Sequence, residues 1–318
     1  MESSNNDAWA SLVHRSMEAW KETWTHEDME MPEIILHILK KWTSLDEFLE
    51  EAPRTLMFWF FQQREAFLSQ KTMQKWSRDR LDDCILLPTA QGFVLRTNCF
   101  FVSHFWQTNN DPDPDGKYLR LNQNELRSQP WSYIWVDWTC IPQHPRSERE
   151  EGYFLRSLQT MPSIIRNSGF SWHYLPFEAR LWILYEIAEY TLTADGDWLI
   201  TPDNKEFMDH IKEMLHFGVR PTLEKHGYRC SYERDKEFLT SWLEVLVLLR
   251  QLRIGIIHMR RLMGHLTGFY GNNITFSTPK GTIKLYRYEG TLMLNEVTYT
   301  FTPFPRWKDG KYSTVTKP

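Results

Sequence analysis

The spacing of apolar residues changes twice along this chain and divides it into three predicted regions. In residues 1–83, apolar positions recur every three or four residues, as Trp9, Leu12 and Val13 illustrate. This period is typical of amphipathic α-helices, whose buried face returns once per turn. We therefore predict a helical N-terminal region over residues 1–83.

From residue 84 to about residue 220, short apolar runs alternate with amphipathic stretches. The predicted strands are residues 99–103, 133–137, 170–175 and 198–201, and the predicted helices are residues 119–127, 149–166, a helix around Trp182, and 204–217. Strands that alternate with helices imply a parallel sheet covered on both faces. The fold class predicted for residues 84–220 is therefore α/β, with ligands expected beyond the carboxyl ends of the strands.

The third region, residues 221–318, combines a long helix with an antiparallel sheet. Residues 235–266 are strongly apolar on one face, which predicts a single helix that packs by this face. After Gly268, apolar and polar residues alternate, and turn signals such as Pro279-Lys280-Gly281 separate the alternating segments. This pattern predicts an antiparallel β-meander.

Composition limits the classes of function without selecting one. The chain has 318 residues, 42% of them apolar, and a formal net charge of −4. The net acidity argues against nucleic-acid binding, which requires a basic surface. The four cysteines are far apart and form no CxxC pair, so neither a disulfide framework nor a zinc site is predicted.

The chain also lacks a targeting or membrane-spanning pattern. Its N-terminal sequence has no apolar core of the signal-peptide type. The most apolar run, Phe238–Leu249, contains Glu244 and is too short to span a bilayer. We therefore expect a cytoplasmic protein without a membrane span.

A carboxylate lies in the middle of the apolar and aromatic helix that follows Arg180. Trp182 and Glu186 are four residues apart, so they lie on the same face of this helix. A carboxylate against an indole ring is poorly solvated, so its charge is most stable when a cation enters beside it. The alternative is an amphipathic helix with Glu186 at its solvated edge.

Polar and aromatic residues also gather where three predicted strands of the sheet end. The first strand is followed or ended by Ser103, His104 and Trp106, and the second leads into Asp137 and Trp138. The third is followed by Pro176 and the helix that carries Trp182 and Glu186. Because carboxyl ends of parallel strands share one edge of a sheet, we expect these side chains to line one rim. The alternative is that Asp137 caps a helix and the tryptophans fill the core.

Three segments together resemble a known fold family. Cys99-Phe-Phe-Val-Ser-His104, Tyr133-Ile-Trp-Val-Asp-Trp-Thr-Cys-Ile-Pro-Gln143 and Arg180-Leu-Trp-Ile-Leu-Tyr-Glu186 resemble the Toll/interleukin-1 receptor (TIR) domain. The middle segment, with Arg156-Ser-Leu-Gln-Thr-Met161, also resembles the fungal heterokaryon-incompatibility (HET) domain, which is itself TIR-like. The resemblance covers about residues 97–217.

The resemblance implies a flavodoxin-like sheet and, in catalytic members, cleavage of the nicotinamide–ribose bond of NAD. The catalytic glutamate of the family corresponds to Glu186. Nicotinamide leaves as a neutral ring, so one carboxylate that stabilises the oxocarbenium ion suffices, whereas ordinary glycosidases need two. Trp182 is then expected to shape the pocket, with Ser103, His104, Trp106, Asp137 and Trp138 binding the substrate. NAD is a substrate here, and neither a cofactor nor a metal ion is expected.

Two other hypotheses remain open. The resemblance also fits a non-catalytic signalling module that self-associates and triggers a cell-death or self-recognition response. In the other hypothesis, the pocket carries out different small-molecule chemistry, for instance in secondary metabolism. The loop Gln107–Lys117 is longer and richer in Asp and Pro than the usual TIR loop, and the N-terminal and C-terminal regions have no counterpart in the TIR core.

Other candidate sites are weaker on chemical grounds. Residues 111–116 match the start of an EF-hand calcium loop. However, the twelfth position of that loop, where calcium binding needs Glu, is Asn122, and two prolines stiffen the loop. Asx-type turns are therefore expected instead. Cys140 and His104 suggest a thiol nucleophile, but Cys140 lacks an activating signal and buried structural cysteines are commoner. No glycine-rich dinucleotide motif or Walker loop is present.

Three arginines follow the second predicted strand, at positions 146, 149 and 156. They are candidates for binding the phosphates of a nucleotide. The alternative, which we favour, is that they solvate one face of a helix.

Overall fold

The computed structural model describes residues 2–24, 33–50, 56–90, 92–108, 110–196, 200–268, 271–308 and 311–313. The chain divides into two compact units, residues 1–173 and 174–318. The boundary at residue 173 differs from the predicted boundaries at residues 83 and 220. Consequently, the predicted α/β region contributes its first strands to one unit and its later helices to the other.

The first unit combines helices with a mixed sheet. Its helices are α1 (Glu2–Thr23), α2 (Glu33–Lys40), α3 (Leu45–Glu50), α4 (Arg64–Ser69), α5 (Lys117–Leu126), α6 (Asp137–Cys140) and α7 (Glu148–Asn167), with a 3₁₀ helix at Arg78–Asp83. Its strands are β1 (Phe58–Gln63), β2 (Cys84–Pro88), β3 (Cys99–His104), β4 (Tyr133–Trp135) and β5 (Gly169–His173). These positions confirm the predicted strands β3, β4 and β5 and the helices α5 and α7.

The five strands are ordered β2-β1-β4-β3-β5. Strand β3 is parallel to both β4 and β5, as predicted. Strand β1 is antiparallel to both of its neighbours, β2 and β4. The α/β class is therefore confirmed, but the expectation of a parallel sheet is wrong for the sheet as a whole, because the antiparallel strands β1 and β2 extend it beyond β4.

Strand β1 lies inside the region that periodicity predicts as helical, and that prediction is wrong there. The run Phe58-Trp59-Phe60-Phe61 is entirely buried because β1 is an interior strand with a helix layer against it. A continuous apolar run has neither helical nor alternating period, so its pattern does not distinguish a strand from a buried helix. Only its pairing with β2 and β4 shows that this segment is a strand.

Helix α1 belongs to the core of the first unit. The buried Trp20 side chain stacks on Phe58 of β1 and meets Phe93 edge to face. Its indole Nε1 donates a hydrogen bond to the carbonyl oxygen of Leu86 in β2, at 2.7 Å. The N-terminal residues therefore cover the antiparallel part of the sheet.

Helix α5 covers one face of the parallel strands. Leu119 and Leu126 of α5 join a buried cluster with Val102 of β3, Ile134 of β4 and Val136. Leu119 and Leu126 are seven residues apart, which places both on the same side of a helix. This packing fixes α5 over the carboxyl ends of β3 and β4.

The second unit contains a helical cluster and two antiparallel sheets. Its helices are α8 (Leu181–Leu192), α9 (Lys205–Phe217), α10 (Val219–Lys225), α11 (Glu233–Gln251) and α12 (Ile256–Gly268). Its strands are β6 (Asn273–Thr278), β7 (Gly281–Tyr286), β8 (Thr291–Leu294), β9 (Val297–Thr300), β10 (Arg306–Lys308) and β11 (Lys311–Ser313). Strands β6 to β9 pair in chain order, which confirms the predicted β-meander.

Among the described residues of this unit, the long helix and the strand at residues 198–201 are not found as the sequence predicts. The single helix expected over residues 235–266 is wrong, because α11 ends at Gln251 and Arg253 adopts a left-handed φ of 53° before α12 begins. A left-handed residue cannot continue a right-handed helix. Of the strand predicted at residues 198–201, Trp198 and Leu199 lie outside the described residues, and Ile200 and Thr201 are not in a strand.

Helix α11 carries the most apolar run of the sequence. Trp242, Leu243 and Leu246 of this run are buried, so they serve as packing residues of the second unit. Within the described residues, no helix combines the length and the apolar character that a membrane crossing requires.

Candidate functional site

The carboxyl ends of the three parallel strands lie at one edge of the sheet in the first unit. Strand β3 ends at His104, β4 is followed by Asp137 at the start of α6, and β5 ends at His173. His104 and His173 are direct partners in the β3–β5 register. The sequence-predicted residues of the first two strands are therefore near the same edge, as the parallel arrangement requires.

Ser103 and His104 do not face the same side of the sheet. Successive residues of a strand point to opposite faces, so His104 shares the α5-covered face with Val102, and Ser103 lies on the other face. A ligand on one face of the sheet therefore contacts only one of these two side chains. Both residues are buried.

Asp137 is the centre of the polar group at this edge. Its Oδ2 accepts a hydrogen bond from Trp106 Nε1 at 2.8 Å, and its Oδ1 accepts one from the backbone N of Trp138 at 2.6 Å. Oδ1 also lies 3.4 Å from Nε2 of His104. The structure thus brings together His104, Trp106, Asp137 and Trp138, and the Asp137 side chain remains 33% exposed.

The aromatic rings and the imidazole of this group differ in their surroundings. Trp106 and Trp138 meet edge to face, with ring centroids 5.3 Å apart. The ring of His104 is buried, and neither of its nitrogens has a well-aligned hydrogen-bond partner among the described residues. Packed cores avoid such unmet hydrogen-bonding capacity, because an unpaired buried polar group costs free energy.

The acidic loop between β3 and α5 has a structural role. Asp113 is buried, and its carboxylate accepts hydrogen bonds from the backbone N of Tyr118 at 3.0 Å and of Leu119 at 2.8 Å. The Oδ1 of Asp111 accepts from the backbone N of Asp113, which is an Asx turn. The Asx turn at Asp111 agrees with the expectation for this loop, and Asp113 in addition satisfies amides in the first turn of α5.

Replacing Asp113 with alanine is expected to lower the free energy of unfolding by about 1–3 kcal/mol, because two amides at the start of α5 lose their acceptor in a buried setting. Chemical denaturation followed by tryptophan fluorescence measures this change. Asp115→Ala is the matched control, since Asp115 is exposed in the same loop and its removal is expected to change little. Equal losses in the two variants contradict the capping role.

In the second unit, helix α8 has one face that is not fully buried. Trp182, Glu186 and Tyr190 are half-buried, whereas every other residue of the helix is buried. The three residues are spaced four apart, so they form one stripe in which Glu186 lies one helical turn from each aromatic residue. Nε1 of Trp182 donates to Oδ2 of Asp235 in α11 at 3.3 Å, which orients the indole. The sequence pattern alone does not single out Tyr190, although this residue lies four positions after Glu186.

Helix α8 also carries a second glutamate in a different environment. Glu189 is fully buried and accepts a hydrogen bond from Nε1 of Trp242 in α11. A buried carboxylate that accepts from a core indole ties α8 to α11, which is a structural role. Of the two acids, Glu186 is therefore the one whose side chain is partly exposed.

The predicted site residues fall into two groups. His104, Trp106, Asp137 and Trp138 meet around one carboxylate in the first unit, with Ser103 on the opposite face of β3. Trp182 and Glu186 lie on α8 in the second unit.

The thiol and metal hypotheses gain no support. Burial raises the pKa of the Cys140 thiol to about 11, so it remains protonated and unreactive at neutral pH. Its sulfur lies 3.6 Å from the carbonyl oxygen of Ile134, to which it donates. Across the residues that the structure describes, no three His, Cys, Asp or Glu side chains form a group that would hold a metal ion.

The three arginines after β4 have protein partners. Arg146 pairs with Glu151 at 2.6 Å, and Arg149 pairs with Glu50 at 2.9 Å. Arg156 donates to the carbonyl oxygen of Leu49 at 3.1 Å and is buried. These contacts favour a structural role over phosphate binding.

Comparison with known proteins adds no functional assignment. No family model, no curated protein and no solved structure matches this chain.

Proposed function

We propose that this chain cleaves the nicotinamide–ribose bond of NAD, with Glu186 as the catalytic carboxylate. The observation that carries this proposal is the stripe on α8, where Glu186 lies one helical turn from Trp182 and one turn from Tyr190. A carboxylate between two aromatic rings suits a ligand that has a flat ring joined to a centre of positive charge. The nicotinamide riboside part of NAD has this chemistry.

The chemistry requires little beyond this carboxylate. As the bond between C1′ of the ribose and the pyridinium nitrogen breaks, its electron pair goes to nicotinamide, which leaves neutral. Positive charge then develops on the ribose, and an ionised Glu186 stabilises it. Attack of water at C1′ gives ADP-ribose and releases one proton, whereas attack by the adenine ring gives a cyclic product.

The fold of the first unit supports the proposal in a more general way. The order β4-β3-β5 matches the first three strands, 2-1-3, of the flavodoxin-like order. In such sheets the ligand lies beyond the carboxyl ends, where Asp137 is partly exposed. For this unit by itself we propose that Asp137, between Trp106 and Trp138, binds hydroxyl groups of a nucleotide, because an ionised carboxylate only accepts hydrogen bonds.

One observation favours the non-catalytic signalling module. Both oxygens of Asp137 already accept hydrogen bonds from the protein, one from Trp106 and one from the backbone of Trp138. This arrangement also fits a carboxylate whose role is to position its neighbours. In this second proposal the first unit is an assembly module, and NAD is not consumed.

The experiment that separates the two proposals is incubation of the purified chain with NAD over a wide range of protein concentrations, with nicotinamide and ADP-ribose products separated by chromatography. Turnover that yields nicotinamide is expected. NAD that stays intact at every concentration, including those at which the chain self-associates, refutes the enzymatic proposal and favours the module. If NAD stays intact while another nucleotide is consumed, a repurposed pocket is favoured.

A further inference from the structure

Two histidines of the second unit stack face to face. The rings of His210, in α9, and His226, directly after α10, have centroids 3.6 Å apart and are inclined by 28°. Nδ1 of His210 lies 2.8 Å from the hydroxyl of Tyr228, and Nε2 of His226 lies 2.9 Å from Oε2 of Glu213. We call His210, His226 and Tyr228 the histidine latch.

The latch joins the end of the α9–α10 hairpin to the beginning of α8. Tyr228 is followed by Arg229, whose backbone N donates to the carbonyl oxygen of Ala179 at 2.9 Å. The backbone N of Leu181, the first residue of α8, donates to the carbonyl oxygen of Arg229 at 2.9 Å. The backbone of Arg229 therefore holds the start of α8, and Trp182 lies in the first turn of this helix. Arg229 directly follows Tyr228, which contacts His210 of α9.

The surroundings of the latch disfavour a positive charge on His210. Glu213 accepts from His226 and from Nζ of Lys225, and Asp209 lies on the same helix as His210. Burial lowers the pKa of His210, and the adjacent His226 lowers it further. Burial also raises the pKa of Tyr228, so its hydroxyl stays neutral.

Helices α8 and α11 also pack against α9, and they bring further carboxylates. In α8 these are Glu186 and Glu189, and Glu189 accepts from Trp242. In α11 they include Asp235, which accepts from Trp182, and Glu244, which accepts from the backbone N of Thr302. Asp235, Glu189 and Glu244 thus each accept a hydrogen bond within the second unit.

We propose that the histidine latch is an acid-sensitive switch, in which protonation of His210 breaks its stack on His226 and loosens the start of α8. At neutral pH the stack is intact. Glu213 and Asp209 attract a proton on His210, but the burial of this ring and its separation of 3.6 Å from the ring of His226 oppose the charge more strongly. The consequence for catalysis rests on the proposed function of Glu186, but the structural switch does not.

The sign of the pH dependence follows from the lowered pKa of His210. The unfolded chain binds a proton at this histidine as the pH falls below about 6.5, whereas the folded chain binds it only at lower pH. The stability contributed by neutral His210 is therefore present above about pH 6.5 and is lost progressively below it.

Hydrogen exchange of the full chain at pH 7.5 and 5.5 tests the switch at two reporter amides, Leu181 and Arg229. After correction for intrinsic exchange rates, their protection in the wild type is expected to fall by more than about threefold, because the folded chain disfavours the protonated form of His210. In His210→Gln, which keeps a side-chain hydrogen-bonding group for Tyr228 but removes the titrating ring, the fall is expected to be less than about twofold. His216→Gln is the matched control, since His216 is exposed on the same helix and its variant is expected to behave as the wild type.

Unchanged protection in the wild type, or equal loss of the pH effect in His210→Gln and His216→Gln, overturns the switch. If His210→Gln does not fold, NMR titration of the imidazole groups of the wild type replaces it, and a His210 that titrates at or above the ordinary value for histidine overturns the proposal. NAD cleavage is measured separately over the same pH range. Loss of exchange protection without any NAD cleavage supports the switch and counts against the proposed function alone.

Discussion

Glu186→Gln is expected to reduce nicotinamide release from NAD by about 10²–10³-fold, the typical loss when one preorganised electrostatic contact to a transition state is removed. Glutamine has nearly the shape of glutamate, so the stripe with Trp182 and Tyr190 is preserved. What is lost is the negative charge that, under the proposed function, stabilises the developing oxocarbenium ion. Initial rates of nicotinamide release at saturating NAD measure the effect.

The matched control is Glu224→Gln, which removes a carboxylate from an exposed position of the same unit. Its rate is expected to equal that of the wild type. Glu186 is partly exposed, so Glu186→Gln is expected to leave the thermal midpoint of unfolding nearly unchanged. A Glu186→Gln variant that releases nicotinamide at the wild-type rate refutes the catalytic role.

Trp20→Ala is expected to lower the free energy of unfolding by about 3–5 kcal/mol, the usual cost of removing a large aromatic side chain from a core. Trp20 is fully buried between α1 and the sheet, where it stacks on Phe58 and donates to the carbonyl oxygen of Leu86. The substitution leaves a cavity at the junction of α1 with β1 and β2. Urea denaturation monitored by circular dichroism measures the loss.

Two further variants show how much of this loss comes from the hydrogen bond and how much from burial of the ring. Trp20→Phe keeps a ring in the core but removes the donor to Leu86, so it is expected to cost about 1–3 kcal/mol. Glu18→Ala, on the exposed side of α1, is expected to have little effect. If Trp20→Ala is no more destabilising than Glu18→Ala, helix α1 does not contribute to the core of the first unit.

Much of the secondary structure of this chain was predictable because periodicity records which side of a segment is buried. Helix α7 and the meander from β6 to β9 were confirmed because their patterns extend over enough residues to distinguish a period of 2 from one of 3.6. Strand β3 was confirmed as a short apolar run that lies between amphipathic stretches. The prediction for β1 was wrong because its apolar residues are continuous. The predicted long helix was wrong because a local backbone reversal at Arg253 leaves no mark on an apolar stripe.

The candidate site was predictable only in part. The approach of His104 and Asp137 follows from the rule that parallel strands end at one edge, and the structure places them 3.4 Å apart. The opposite orientation of Ser103 follows from strand alternation, once the limits of β3 are known. Tyr190 required the structure, because its partial exposure depends on what covers each face of α8.

The sequence by itself determined the α/β character, the positions of most helices and strands, and a carboxylate one turn from a tryptophan on an apolar helix. Tertiary structure alone decided the antiparallel addition of β1 and β2, the contacts of Asp137, and the stacking of His210 on His226. The physical reason is that periodicity is a local property of neighbouring residues. Strand order, burial of a given face and contacts between side chains depend instead on segments that lie far apart in the chain.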